Sequence, residues 1–115
     1  MTNRSRGDYH ERRVRDQLME RGFYVVRAAG SLGPADLVAL RHDRKPRLIA
    51  CKITGSITYD ELNGLWTSAV LAGATPLIAS RTKPGVIGWQ MLLQSPRKGN
   101  RAGTLTEILD WIDEP

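Results

Sequence analysis

The chain has a single cysteine, Cys51, so no disulfide can form within it, as is usual in a reducing compartment. It has no apolar run of membrane-spanning length, and its polar start, M-T-N-R-S-R-G, lacks the apolar core of a signal peptide. Internal repeats and low-complexity segments are absent from the sequence. We therefore expect a cytoplasmic protein with no membrane partner. Its 115 residues suffice for one domain, 1–115, but not for two.

Acidic residues are outnumbered by basic ones. There are 17 Lys and Arg against 12 Asp and Glu, and this balance suits a polyanionic partner. An ordinary basic protein would have the same balance, so charge alone does not decide the function. Residues 1–7 are expected to form a flexible basic arm. The candidates for contact with DNA phosphates are Arg4, Arg6, Arg12, Arg13, Arg27, Ser31, Arg81 and Lys83.

Capping pairs and apolar periodicity predict three helices. Asp8 and Glu11 have the spacing of a capping box for the first helix, which Gly22 ends. Val14 and Leu18 follow Glu11 at helical spacing, so this carboxylate lies on the stripe that faces the sheet. Capping alone would explain Glu11, and so would a place in a site. The other two helices begin at similar pairs, Thr58 with Glu61 and Thr104 with Glu107.

Apolar runs between turn residues predict five strands. Two of them, Asp36–Leu40 and Leu48–Ile53, form a hairpin with a charged tip at 41–47. The others cover 23–28, 75–80 and 86–93, and the fourth strand is followed by a loop with Arg81 and Lys83. The expected fold is α/β, with a central mixed sheet of about five strands flanked by helices.

A candidate site lies at one end of the predicted hairpin. Asp36 begins one strand and Lys52 lies near the end of the other, so an antiparallel pair brings both to the same end. A carboxylate beside an ammonium suits a divalent metal held against a phosphate. An unpaired lysine in an apolar strand is costly, which favours a site. Ser31, in the glycine-rich loop before Asp36, either touches a ligand or belongs to an ordinary turn.

These residues together resemble a known nuclease pattern. Glu11 on a helix, R-A-A-G-S-L-G-P-A-D from Arg27 to Asp36, and A-C-K at 50–52 resemble the archaeal-type Holliday junction resolvases of the PD-(D/E)xK superfamily. The resemblance covers residues 8–80. It implies a restriction-endonuclease-like fold and a structure-selective endonuclease that cuts four-way DNA junctions. A homodimer would supply the two symmetric cuts.

The resemblance also implies the chemistry. Glu11, Ser31, Asp36 and Lys52 would be catalytic, and Glu11, Asp36 and the backbone carbonyl of Cys51 would hold Mg²⁺, or Mn²⁺ in its place. Ala50 stands where the family has Glu, or in some relatives Gln, so two ligand oxygens are missing. Weaker metal binding and slower cleavage are expected.

Two other functions stay open at this point: a junction-binding module without catalysis, and a nuclease that cuts other DNA substrates. Two outcomes are also open for an Ala50→Glu variant. The new carboxylate would restore the metal ligands if the rest of the site is intact. It would instead be buried and destabilising if the neighbourhood has repacked around the methyl group.

Overall fold

The computed structural model of the protein describes residues 3–28, 35–53, 57–97 and 105–107. Its elements in chain order are α1 (Asn3–Glu20), β1 (Tyr24–Arg27), β2 (Leu37–Arg41), β3 (Arg44–Lys52), α2 (Tyr59–Ala72), β4 (Thr75–Lys83), β5 (Val86–Leu92) and β6 (Leu105–Glu107). The strands form one six-stranded sheet in the order β1-β2-β3-β4-β5-β6. Only β3 and β4, which α2 connects, are parallel neighbours in it. The expected mixed α/β fold is confirmed, with one strand more.

One helix packs on each face of the sheet. Side chains of a strand alternate between faces, and Ile49 packs on the α1 side while Leu48 and Ala50 pack on the α2 side. Burial of a leucine or isoleucine side chain stabilises the fold by roughly 1.5–3 kcal/mol. The α1 layer includes Val14, Leu18, Leu37, Ala39, Ile49, Leu77 and Ala79. The α2 layer includes Leu48, Ala50, Leu62, Leu65, Ala69, Ile78 and Leu92.

The predicted end of the first helix is found at Gly22, where glycine permits a left-handed backbone. Gly22 has a φ of +86°, and the amides of Gly22 and Phe23 donate to the carbonyls of Met19 and Leu18 at 3.0 and 3.1 Å. This pattern is a Schellman motif, and Leu18 and Phe23 both belong to the α1 layer. The second helix begins at a complete capping box of Thr58 and Glu61, as predicted. No helix in the described part of the chain is both long and apolar enough to cross a membrane.

The start of the first helix differs from the prediction. Because α1 begins at Asn3, residues 3–7 are helical rather than a loose arm, and Asp8 is not a cap. Gly7 costs about 1 kcal/mol within a helix but does not end it. The carboxylate of Asp8 faces Arg27 instead, with its Oδ1 3.6 Å from Nη2.

Three boundaries in the sheet are also corrected. The hairpin tip is only His42 and Asp43, because 44–47 belong to β3, where Arg47 is fully buried with its guanidinium over the Phe23 ring. The loop predicted for Arg81 and Lys83 is the last part of β4, since β5 pairs with it there. The third predicted helix is wrong at 105–107, which pair with β5 as β6. The rest of that segment lies outside the described residues.

Candidate functional site

Asp36 is held in place at the start of β2 by its neighbours on both sides. Its amide donates to the carbonyl of Ile49 at 2.8 Å, and its carbonyl accepts from the amide of Ala28 at 2.9 Å. The amide of Cys51 donates to Oδ2 of its carboxylate at 2.7 Å. The sequence places this Asp directly before a buried strand, and the ladder of β1, β2 and β3 then fixes both its backbone and its side chain.

The pKa of the Asp36 carboxyl is raised above its usual value. Burial is the main cause, and the charge of Glu61 adds to it, while the Cys51 hydrogen bond and the nearby Lys52 ammonium act in the opposite direction. Asp36 is therefore a half-buried carboxylate surrounded by charges of both signs. Such a group favours a positive partner.

Lys52 ends β3 and has the partner that a lysine in an apolar strand requires. Its Nζ lies 2.8 Å from Oε2 of Glu61, in the first turn of α2. Partial burial raises the pKa of Glu61, but the hydrogen bonds from Lys52 and Thr58 outweigh this effect and leave the pKa below its usual value. Sequence reasoning assigned Glu61 to the capping box only and missed this pairing.

Glu11 lies on α1 and pairs with Arg27. Arg27 Nε lies 2.8 Å from Glu11 Oε1, and the carboxylate is mostly buried while the guanidinium is exposed. The pKa of Glu11 is raised, first by burial and also by the charge of Asp36, although Arg27 opposes the shift. The two carboxylates thus repel each other. A groove at Glu11 is lined by Asp8, Glu11, Arg12, Arg15, Arg27 and Leu37.

The basic residues predicted to meet DNA are distributed unequally. Arg12 and Arg27 line the groove at Glu11. Arg13 points elsewhere, because its Nη2 donates to the carbonyl of Gly85 at 2.9 Å in the turn between β4 and β5. Arg81 follows Ser80, the register partner of Lys52, on β4, and Lys83 ends that strand. Ser31 and the side chains of Arg4 and Arg6 lie outside the described residues.

The two positions beside Lys52 on β3 face different layers. Cys51 packs with the α1 layer, and burial raises the pKa of its thiol far above the usual range, so the thiol stays protonated. Ala50 packs in the α2 layer and is only 4% exposed. The methyl group of Ala50, which stands where the family has a carboxylate, therefore packs among apolar side chains.

The described residues contain no group of three His, Cys, Asp or Glu side chains that could hold a metal ion by themselves. Mg²⁺ does not need such a cage, because it is usually held by one or two carboxylates, waters and substrate phosphates. The negative charge of Asp36 raises the pKa of Glu11. A divalent cation would relieve that repulsion, so the donor set fits this kind of ion.

The fold is restriction-endonuclease-like, with a carboxylate on the first helix, an Asp before a central strand and a Lys at the end of the next. The model of the family "Archaeal holliday junction resolvase (hjc)" matches residues 2–107. The chain belongs to this family of DNA-junction nucleases. Family membership implies a divalent metal cofactor and junction DNA as ligand.

A solved structure supports the fold. The structure of Hjc from Archaeoglobus fulgidus, titled a Holliday junction resolvase from an archaeal hyperthermophile, matches with a TM-score of 0.62 at 24% identity. The match covers 91% of this chain and 93% of that one. At this identity the likeness shows the fold alone. No curated protein matches the chain in sequence.

Proposed function

We propose that this chain cuts four-way DNA junctions by metal-dependent phosphodiester hydrolysis and uses Glu11, Asp36 and Lys52 as catalytic residues. The observation that carries the proposal is the placement of Asp36. Its carboxylate accepts from the Cys51 amide at 2.7 Å and is influenced by the charges of Lys52 and Arg27. A site that combines fixed carboxylates with cations can bind both a metal and a phosphate.

Each side chain has a defined task in this proposal. Asp36, Glu11 and the carbonyl of Cys51 hold the divalent cation, Mg²⁺ or Mn²⁺. When bound, the ion lowers the pKa of a bound water and neutralises charge on the scissile phosphate. Lys52 is 27% exposed, so its ammonium can reach a phosphate oxygen and stabilise the negative charge that develops there. Ser31 is assigned a contact with the substrate on the resemblance alone.

The DNA backbone is proposed to follow the groove beside Glu11. Arg12, Arg15 and Arg27 line it, and the chain has a net charge of +5. The Arg27 guanidinium is 64% exposed and can exchange its carboxylate partners for phosphate. A homodimer is proposed because two symmetric cuts need two equivalent sites.

The test is a labelled four-way junction, incubated with and without Mg²⁺ or Mn²⁺, beside a linear duplex of the same sequence. The expected result is cleavage of the junction alone, with metal only. Equal cleavage of the duplex would favour a general nuclease, and tight junction binding without cleavage in either metal would favour a silent binding module.

Asp36→Asn is the matched variant for this test. Its amide oxygen can still accept from Cys51, so the fold should be retained while the charge is lost. Junction binding should be equal or stronger, and cleavage should disappear. Asp16→Asn is the control, because Asp16 is exposed on α1 and pairs only with Arg15 at 3.3 Å among the described residues. If Asp36→Asn cleaves at the control's rate, the proposed site is wrong.

A further inference from the structure

The side chain at position 50 of β3 has no oxygen to offer the site, and it lies in a buried layer. Ala50 is 4% exposed and packs with the buried face of α2. The buried residues of this layer are apolar and include Leu62 and Leu65 of α2, which are fully buried. A carboxylate that completes the site therefore has to come from another element.

The second helix brings a carboxylate to the same face of the sheet. Ala50 and Lys52 are two residues apart on β3, so their side chains leave the strand on the same side. Glu61, in the first turn of α2, places Oε2 2.8 Å from Lys52 Nζ. The Glu61 side chain is 37% exposed and that of Lys52 27%, so a ligand from solvent can reach the pair.

Helix capping accounts for only one of the two Glu61 oxygens. Oε1 accepts from the amide of Thr58 at 3.3 Å and from its hydroxyl at 3.0 Å, which completes the capping box. The other oxygen, Oε2, has no part in the cap and is the one that meets Lys52. A partly exposed ion pair adds at most about 1 kcal/mol to stability. So small a contribution to stability does not explain why Glu61 makes this second contact.

Glu61 also acts on Asp36. After burial, its charge is a further cause of the raised pKa of Asp36, so both carboxylates belong to one electrostatic neighbourhood. The adjacent residue, Asp60, does not share this position. It is exposed, and among the described residues it forms no ion pair.

We propose that Glu61 is a carboxylate of the nuclease site, supplied by α2 in place of a side chain at position 50. In the free protein it holds the Lys52 ammonium at the site. When Lys52 turns to a phosphate, Oε2 becomes available to the divalent cation. This inference rests on the proposed function, since it assigns a further ligand to that same site.

The test compares Glu61→Gln with Asp60→Asn. Gln also occupies this position in capping boxes, so helix α2 should be kept while the charge is lost. Both variants remove one negative charge from the same helical turn. Mn²⁺ affinity of the DNA-free protein is measured by electron paramagnetic resonance of the unbound ion, and junction cleavage and melting temperature are measured beside it.

Glu61→Gln is expected to weaken Mn²⁺ binding and slow cleavage by about tenfold or more, a loss typical of a changed metal environment. Asp60→Asn should behave as the wild type. Glu61→Asp keeps the charge on a shorter side chain, so its Mn²⁺ affinity should lie between those of Glu61→Gln and the wild type. This variant separates the loss of the carboxylate from damage to the cap.

The outcomes distinguish the two proposals. If the wild type cleaves and Glu61→Gln matches it in cleavage and Mn²⁺ affinity, Glu61 is a cap only, and the proposed function stands without it. If the wild type cleaves no junction with either metal, the proposed function fails and Mn²⁺ affinity alone decides on Glu61. An Asp variant that binds Mn²⁺ no better than the Gln variant would also overturn the inference.

Discussion

A glutamate at position 50 is expected to destabilise the fold rather than improve the site. Ala50 is 4% exposed within the α2 layer, so the longer side chain must displace neighbours such as Leu62 and Leu65. Overpacking of a filled core costs about 1–3 kcal/mol. The structure thus favours the second of the two outcomes considered for Ala50→Glu.

Burial of the charge adds to this cost. If the buried carboxyl group must be protonated in the fold, the fold loses about 1.4 kcal/mol of stability for each pH unit above the ordinary pKa near 4.3. At about pH 7 this loss is about 3–4 kcal/mol. The sum, about 4–7 kcal/mol, is a large part of the stability of an ordinary domain. Lys52 offers no easy relief, because its ammonium is already paired with Glu61.

The assay is chemical denaturation of the wild type, Ala50→Glu and Ala50→Gln. Gln overpacks the layer equally without a charge, so the difference between the two variants isolates the carboxylate. A pKa raised by folding means that stability falls as pH rises from the unfolded pKa to the folded one. The Glu variant should therefore approach the Gln variant as the pH falls from about 8 to about 5. Equal stability of both variants at all pH values, with faster cleavage by Ala50→Glu, would refute the reasoning.

The other predictions concern the carboxylates Asp36 and Glu11, two glycines and the basic groove. Folding raises the pKa of Asp36 and of Glu11, so their charged forms destabilise the metal-free protein at pH values above the usual carboxyl pKa. Asp36→Asn should therefore raise the melting temperature of the metal-free protein at neutral pH, and this gain should shrink as the pH falls. Gly22→Ala should lower the stability by about 1 kcal/mol, because Gly22 has a φ of +86°. Gly7→Ala should instead raise the stability by about 1 kcal/mol, because Gly7 lies within α1 and its new Cβ would be 4.0 Å from Ile53 Cδ1. Denaturation curves that shift in the same direction for both variants would contradict this. Junction affinity should fall steeply with rising salt, and a binding titration that shows no salt dependence would exclude the phosphate contacts of the groove.

The elements that could be predicted from the sequence are those fixed by local signals. Thr58 with Glu61 at the start of α2 and Gly22 after α1 set boundaries that the structure confirms. The hairpin of β2 and β3 is likewise confirmed, and its local signal was that each apolar run is bounded by turn-forming or charged residues. The predicted start of α1 was wrong. The capping signal at Asp8 is local, but in the fold the Asp8 carboxylate pairs with Arg27 instead.

The contents of the candidate site were harder to predict, because they depend on how a strand and a helix align. Lys52 required a partner, but a strand repeats every two residues and a helix every 3.6, so the sequence does not say which residue of α2 faces it. Thr58 sets the helix start, and Glu61 at the third helical position then turns back toward the cap. The end of β3 lies on that side, so the carboxylate that closes the capping box also meets Lys52. Since capping already explained Glu61, no local signal was left to reveal its second contact, which only the packing of α2 on the sheet creates.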